Sequence, residues 1–144
     1  MSHKKADGTL IPDGELLRNE YIGVTLEFGG RVVRIVRSAV PYSSPEVAER
    51  AYEPLYPILD RIGRSERCLL NDQRLAIGRN DAVYEAAFAR IRSRTVPGFR
   101  RVATLVQSKV GLLQLGRMIR EDRVERLASD NEAEILAYFG VAPR

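Results

Sequence analysis

Histidine and cysteine are almost missing from this 144-residue chain, which has one of each. A lone Cys68 can form no intrachain disulfide. A lone His3, in a polar N-terminal stretch, leaves the rest of the chain without a His/Cys zinc set or a histidine-based catalytic triad. No apolar run approaches the roughly 18 residues needed to cross a bilayer. Met1 to Gly14 lacks the apolar core of a secretory signal, so export is not indicated. Phosphate-loop, dinucleotide and hydrolase-elbow signatures are missing as well: there is no Gly-x-x-x-x-Gly-Lys-Ser/Thr, no Gly-x-Gly-x-x-Gly after a strand and no Gly-x-Ser-x-Gly. The expectation is a cytoplasmic chain, not membrane-spanning, with no metal and no cofactor.

What is present is ordinary globular material. Hydrophobic residues make up 44% and charged residues 29%, a balance that argues against wholesale disorder. The length fits one domain with a core large enough to need no metal or disulfide. The formal charge is +4, and arginine supplies nearly all of the positive set. Acids interleave with the bases: Glu46, Glu49 and Glu53 accompany Arg50, and Glu121, Asp122 and Glu125 accompany Arg120, Arg123 and Arg126. The exception is Arg90, Arg92, Arg94, Arg100 and Arg101, with no acid among them. Such a cluster can touch a nucleic-acid backbone, or simply complement the negative end of a helix; the second reading is favoured.

The pattern along the chain is regular. Residues 1–18, with Asp7-Gly8 and Pro12-Asp13-Gly14, read as a flexible arm with turns, and 19–144 as the single domain. Tyr21 to Phe28 alternates, with Ile22, Val24, Leu26 and Phe28 on one side, and predicts a half-buried strand. Gly29-Gly30 predicts a hairpin turn, because such turns need positive φ. Arg31 to Arg37 returns as a β-branched strand. Ser44-Pro45-Glu46 opens a helix that Pro54 and Pro57 should bend or split before Ile62 and Gly63. Cys68-Leu69-Leu70-Asn71-Asp72 reads as a short strand buried on both faces, with Cys68 a packed small hydrophobe.

A second helix is predicted from Ala82 to about Arg94, with Val83, Ala86, Ala87 and Ile91 inward and Phe88 at the edge. A strand follows over Val102 to Val106, then a helix over Val110 to Glu121, a short strand over Val124 to Ala128, and a last helix, Asn131 to Phe139, capped by Asp130 and closed by Gly140. Together these predict an α/β fold: a mixed five-stranded sheet, opening with an antiparallel hairpin and continuing in parallel, with four helices.

Catalytic constellations are scarce. Asn71-Asp72, at a strand end, is the best catalytic-looking pair, since α/β folds bind ligands at strand carboxyl ends, but Asn and Asp also suit a plain turn there. No matched general acid and base stands out, so the sequence points away from an enzyme. Two features could bind instead. The loop Ile77-Gly78-Arg79-Asn80-Asp81 precedes a helix N-terminus, where backbone N–H groups attract anions and Asp81 would oppose them. The run Val110 to Gly116 holds more apolar residues than one narrow stripe buries; either that helix is buried more fully than its neighbours or some leucines line a groove.

This order of elements, Gly78-Arg79-Asn80-Asp81 opening the second helix, and Phe99-Arg100-Arg101-Val102-Ala103 leading into the next strand resemble the STAS superfamily, the fold of bacterial anti-sigma-factor antagonists. Within it the chain looks like the SpoIIAA-like, STAS/SEC14-type group of small bacterial proteins, over roughly Glu20 to Phe139. The resemblance implies a switchable protein-interaction module, and SEC14-like relatives hold apolar ligands. The antagonists carry a phosphorylatable Ser or Thr at the start of the second helix; Gly78 to Asp81 has no hydroxyl and nowhere to place a phosphate charge.

The resemblance therefore implies a constitutive, non-catalytic scaffold or regulatory module. Its partner, another protein, would be met at Arg79, Asn80, Asp81 and Tyr84, with Gln114 and Arg117 of the third helix beside them. The alternative is a carrier or sensor of an apolar ligand held by Leu112, Leu115 and Met118. A second alternative is weak nucleic-acid association through the arginine cluster.

Overall fold

The hairpin at the start of the sheet forms where the alternation places it. In the computed structural model, which describes residues 3–4, 10–76, 82–107 and 127–141, strands β4 (Ile22–Glu27) and β5 (Val32–Arg37) pair antiparallel, with Val24 opposite Ile35 and Leu26 opposite Val33. Gly29 and Gly30 take φ values of 66° and 82°, and the Arg31 N–H closes the turn on the Phe28 carbonyl at 3.4 Å. A side chain at either glycine would meet the left-handed steric penalty.

The sheet holds six strands rather than five. The extra one is β3 (Gly14–Arg18), which lies antiparallel on the outer side of β4, within the stretch expected to be an arm. Two contacts remote in sequence hold it. The Asp13 carboxylate accepts the Gly29 and Gly30 N–H groups at 2.9 and 2.8 Å. Asn19 accepts the Tyr21 and Ile22 N–H groups and donates to the Ala51 carbonyl at 3.0 Å. A bulge between Glu15 and Leu17 breaks the strand's alternation. Before it, β1 (His3–Lys4) and β2 (Leu10–Ile11) form a separate two-residue ladder.

The parallel part follows in the expected order; the last strand is described over Leu127–Ser129, while Val124 to Arg126, where it was expected to begin, lie outside the described residues. Strands β6 (Cys68–Asp72), β7 (Arg101–Leu105) and β8 (Leu127–Ser129) add to β5 one after another, so the order β3 to β8 is the order of the sequence. Cys68, Leu69 and Leu70 are fully buried, as a central strand covered on both faces requires.

Pro54 and Pro57 do split the first helical run, into α1 (Pro45–Tyr52) and α2 (Leu55–Ile62). The Ser44 side chain caps α1 by accepting the Val47 N–H at 3.2 Å, and Gly63 ends α2 at φ 83°. Helix α3 (Ala82–Thr95) and helix α4 (Glu132–Phe139) complete the described helices. Asn131, not Asp130, caps α4, and Gly140 closes it in the left-handed region. The helix expected over Val110 to Glu121 lies outside the described residues.

The two faces of the sheet bury different cores. Ile22, Val24, Leu26, Val33, Ile35, Leu69 and Val102 meet the inner sides of α1, α2 and α3. The two crossovers whose helices are described, from β5 to β6 and from β6 to β7, thus put those helices on the same face of the sheet. Val32, Cys68, Leu70, Ala103 and Leu105 look the other way, onto Ile135 and Phe139 of α4.

Candidate functional site

Parallel strands present their carboxyl ends together, and α/β folds place ligands and partners there. Here that edge is formed by Arg37, Asp72, Leu105 and Ser129 and the segments that follow them.

Asp72, the last residue of β6, is buried and bound by Arg74: the guanidinium Nε and Nη2 donate at 3.0 and 2.7 Å and the backbone N–H at 3.2 Å. Arg34 Nη1 approaches the same carboxylate at 3.5 Å, while its other contacts reach Glu27 at 3.0 Å and Glu132 at 2.7 Å. Burial alone would raise the Asp72 pKa, but the bonds from Arg74 and the charges of Arg74 and Arg34 outweigh it and hold the carboxyl below its ordinary value. A carboxylate committed in this way is a poor proton acceptor. Asn71, its neighbour, is half-buried beside Thr104 of β7.

The loop after β5 is fixed by Arg37. Its guanidinium donates to the carbonyls of Tyr21, Ser38 and Val40 at 3.2, 2.6 and 2.6 Å and stacks 3.9 Å from the centre of the Tyr42 ring. The Tyr84 hydroxyl, from the first turn of α3, donates to the Tyr42 carbonyl at 3.1 Å. Tyr84 is therefore a buried packing residue at 5% exposure, not the exposed partner contact that the sequence suggested.

The same geometry corrects the inner face of α3. Tyr84, Ala87, Ile91 and Thr95 are buried, whereas Val83 and Ala86 face outward. Aliphatic character pointed to Val83, but a tyrosine whose hydroxyl finds a carbonyl buries more surface at no polar penalty. The outcome is an unusual exposure pattern. Among the described residues the exposed large hydrophobics are Val40 at 40%, Leu75 at 60% and Val83 at 65%. All three belong to this one edge: Val40 follows β5, Leu75 follows β6, and Val83 lies in the first turn of α3.

Of the other residues singled out in the sequence, Arg79, Asn80, Asp81, Gln114 and Arg117 lie outside the described residues, as do Leu112, Leu115 and Met118. The arginine cluster is dispersed. Arg90 pairs with Glu49 at 2.7 Å, Arg94 stacks 4.0 Å over the Tyr56 ring, and Arg100 and Arg101 donate to the carbonyls of Phe139 and Tyr138 at the end of α4, each at 2.7 Å. Arg90 and Arg94, with Glu49, Glu53, Tyr56 and Ser93, line a shallow cleft of about 170 Å³ between the α1–α2 pair and α3, with acids and bases balanced around it.

Among the described residues no three His, Cys, Asp or Glu side chains gather as a metal site, and no helix is long and apolar enough to cross a membrane. Comparison with known proteins brings no match: no family model, no curated protein and no solved structure.

Sequence reasoning missed Arg37 and the apolar edge residues. A signal for Leu75 was present, as a large apolar residue directly after the polar run Asn71 to Arg74, where a loop follows the strand. Arg37 carried none, since its carbonyl partners are set by the fold.

Proposed function

We propose that this chain is a non-catalytic protein-interaction module of the SpoIIAA-like, STAS type, a scaffold or regulatory subunit that docks another protein at the carboxyl edge of its parallel strands. The observation that carries the reading is the placement of Val40, Leu75 and Val83, the exposed large hydrophobics among the described residues, at that edge. Exposed apolar groups grouped at one place are the usual mark of a contact surface, and covering one leucine is worth about 2 kcal/mol.

Two further features support it. An antiparallel hairpin followed by parallel strands is the coarse part of the layout on which the resemblance rests. The most catalytic-looking carboxylate, Asp72, is spent on Arg74 and Arg34. With no hydroxyl between Ile77 and Asp81, docking is constitutive rather than switched by phosphorylation at that position.

The test is affinity capture from the native host with the wild-type chain and the Leu75→Ser/Val83→Ser variant. Both positions are exposed, so the melting temperature should stay within a few degrees. Recovery of the captured partner should drop at least about tenfold, the loss expected for two central apolar contacts. Equal recovery by both chains would move the interface away from this edge.

A further inference from the structure

The outermost strand offers a second surface, independent of the carboxyl edge. β3 is the terminal strand of the six-stranded sheet, and among the described residues nothing pairs with its outer side. An unpaired strand edge is a template for another strand. What that strand must look like is written in the side chains.

In a regular strand, residues 15 and 18 would point to opposite faces. The bulge removes that difference. Glu15 sits opposite Thr25, Leu17 opposite Val24 and Arg18 opposite Gly23, so Leu16 is the extra residue and Glu15 and Arg18 share the face away from α1 and α2. Arg18 lies across Gly23, where a Cβ would come within 3.7 Å of its guanidinium. Glu15 and Arg18 bond to each other, but both are more than half exposed, so that pair holds little energy. Leu16 and Leu17 are partly buried against the helix-side core.

We propose that β3 is a self-association edge: two copies of the chain pair their β3 strands antiparallel across a two-fold axis between Leu16 and Leu17. In that register Glu15 stands opposite the partner's Arg18, and Arg18 opposite the partner's Glu15. The charges are self-complementary, which a two-fold interface requires and a parallel or slipped pairing would not provide. Cross-strand pairs of opposite charge stabilise an antiparallel ladder, and like charges in the same places destabilise it. The two six-stranded sheets then run on as one. A five-residue strand pair is smaller than a standard stable interface, so the association is weak and depends on concentration.

The experiment is sedimentation velocity on the full chain over a wide concentration range. Wild type should pass from monomer to dimer. Glu15→Arg and Arg18→Glu each place like charges opposite one another, twice per dimer, and each should weaken the dimer about tenfold or more. Mixing the two variants should restore association, because the doubly basic edge of one then meets the doubly acidic edge of the other, with opposite charges in both cross-strand pairs. Both positions are exposed, and unchanged far-ultraviolet circular dichroism will show that both variants fold. A wild-type chain that stays monomeric throughout overturns the proposal. So does a dimer indifferent to either substitution, or a mixture that associates no better than its components.

Discussion

Arginine is used here as a staple for main-chain oxygen. Arg67 is 2% exposed, and its guanidinium donates to the carbonyls of Gly30, Ile62 and Gly63, tying the end of α2 to the β4–β5 turn. Arg64 gathers the carbonyls of Arg94, Thr95 and Pro97 at the end of α3, and Arg100 and Arg101 do the same for α4. The last carbonyls of a helix lack internal partners and carry its negative dipole end. A planar guanidinium presents five donors in a fixed fork, against the three of an ammonium on a flexible stem, and so can serve several carbonyls at once with little loss of freedom. Burial lowers the Arg67 pKa, and the carbonyls supply what water would have given. Arg67→Met should therefore cost about 3 kcal/mol in urea unfolding, the scale of leaving buried acceptors unmet. Asp72 sets a second expectation. Its folded pKa is lowered, so its contribution is complete above the unfolded value of 3.8 and is lost as pH falls through the folded one. Thermal stability should decline below about pH 4, and Asp72→Asn should flatten that decline.

Among the elements, α4 is the one whose failure would be easiest to see. It alone among the described helices covers Cys68, Leu70, Ala103 and Leu105. Its N-cap is Asn131, accepting the Ala133 N–H at 2.9 Å, with Ser129 donating to Glu134 at 2.8 Å alongside. Asn131→Ala should lower stability by about 1 kcal/mol. It should also speed labelling of Cys68, the single thiol, by an aromatic disulfide reagent, because opening α4 uncovers it; an unchanged labelling rate would mean the thiol is reached by another route. Most elements were legible in the sequence. β6 falls at Cys68–Asp72 as its continuous apolar run indicated, and two prolines announced the division between α1 and α2. β3 was not legible, because its bulge sets Leu16 beside Leu17 and destroys the period of two, while the groups that hold it come from the hairpin turn. The rotation of α3 was missed because side-chain hydrophobicity does not reveal that a tyrosine hydroxyl will find the Tyr42 carbonyl.

At the scale of the molecule, much of the positive charge among the described residues is internal business. The acid-free arginine cluster offered a nucleic-acid partner as one alternative, yet Arg34, Arg37, Arg64, Arg67, Arg74, Arg90, Arg100 and Arg101 are all engaged with carboxylates or carbonyls of the same chain. The candidate edge was legible only in its location. The rule that α/β sites lie at strand carboxyl ends pointed to it, whereas which side chains stand out there depended on the packing of α3 against the Tyr42 loop.

The strict sequence order of the sheet has a consequence for how the chain is born. Each strand docks beside the one made just before it, so a nascent chain leaving the ribosome can extend the sheet strand by strand without waiting for a distant partner, and short-range contacts of this kind favour rapid folding. The helix-side core is provided for once α3 and β7 have emerged. The opposite face has to wait for α4, whose last residue is Phe139, so Leu70 and Leu105 lack that cover for as long as α4 has not emerged. That face is the interval of vulnerability in the life of the molecule, and the place where a chaperone would be expected to stand guard.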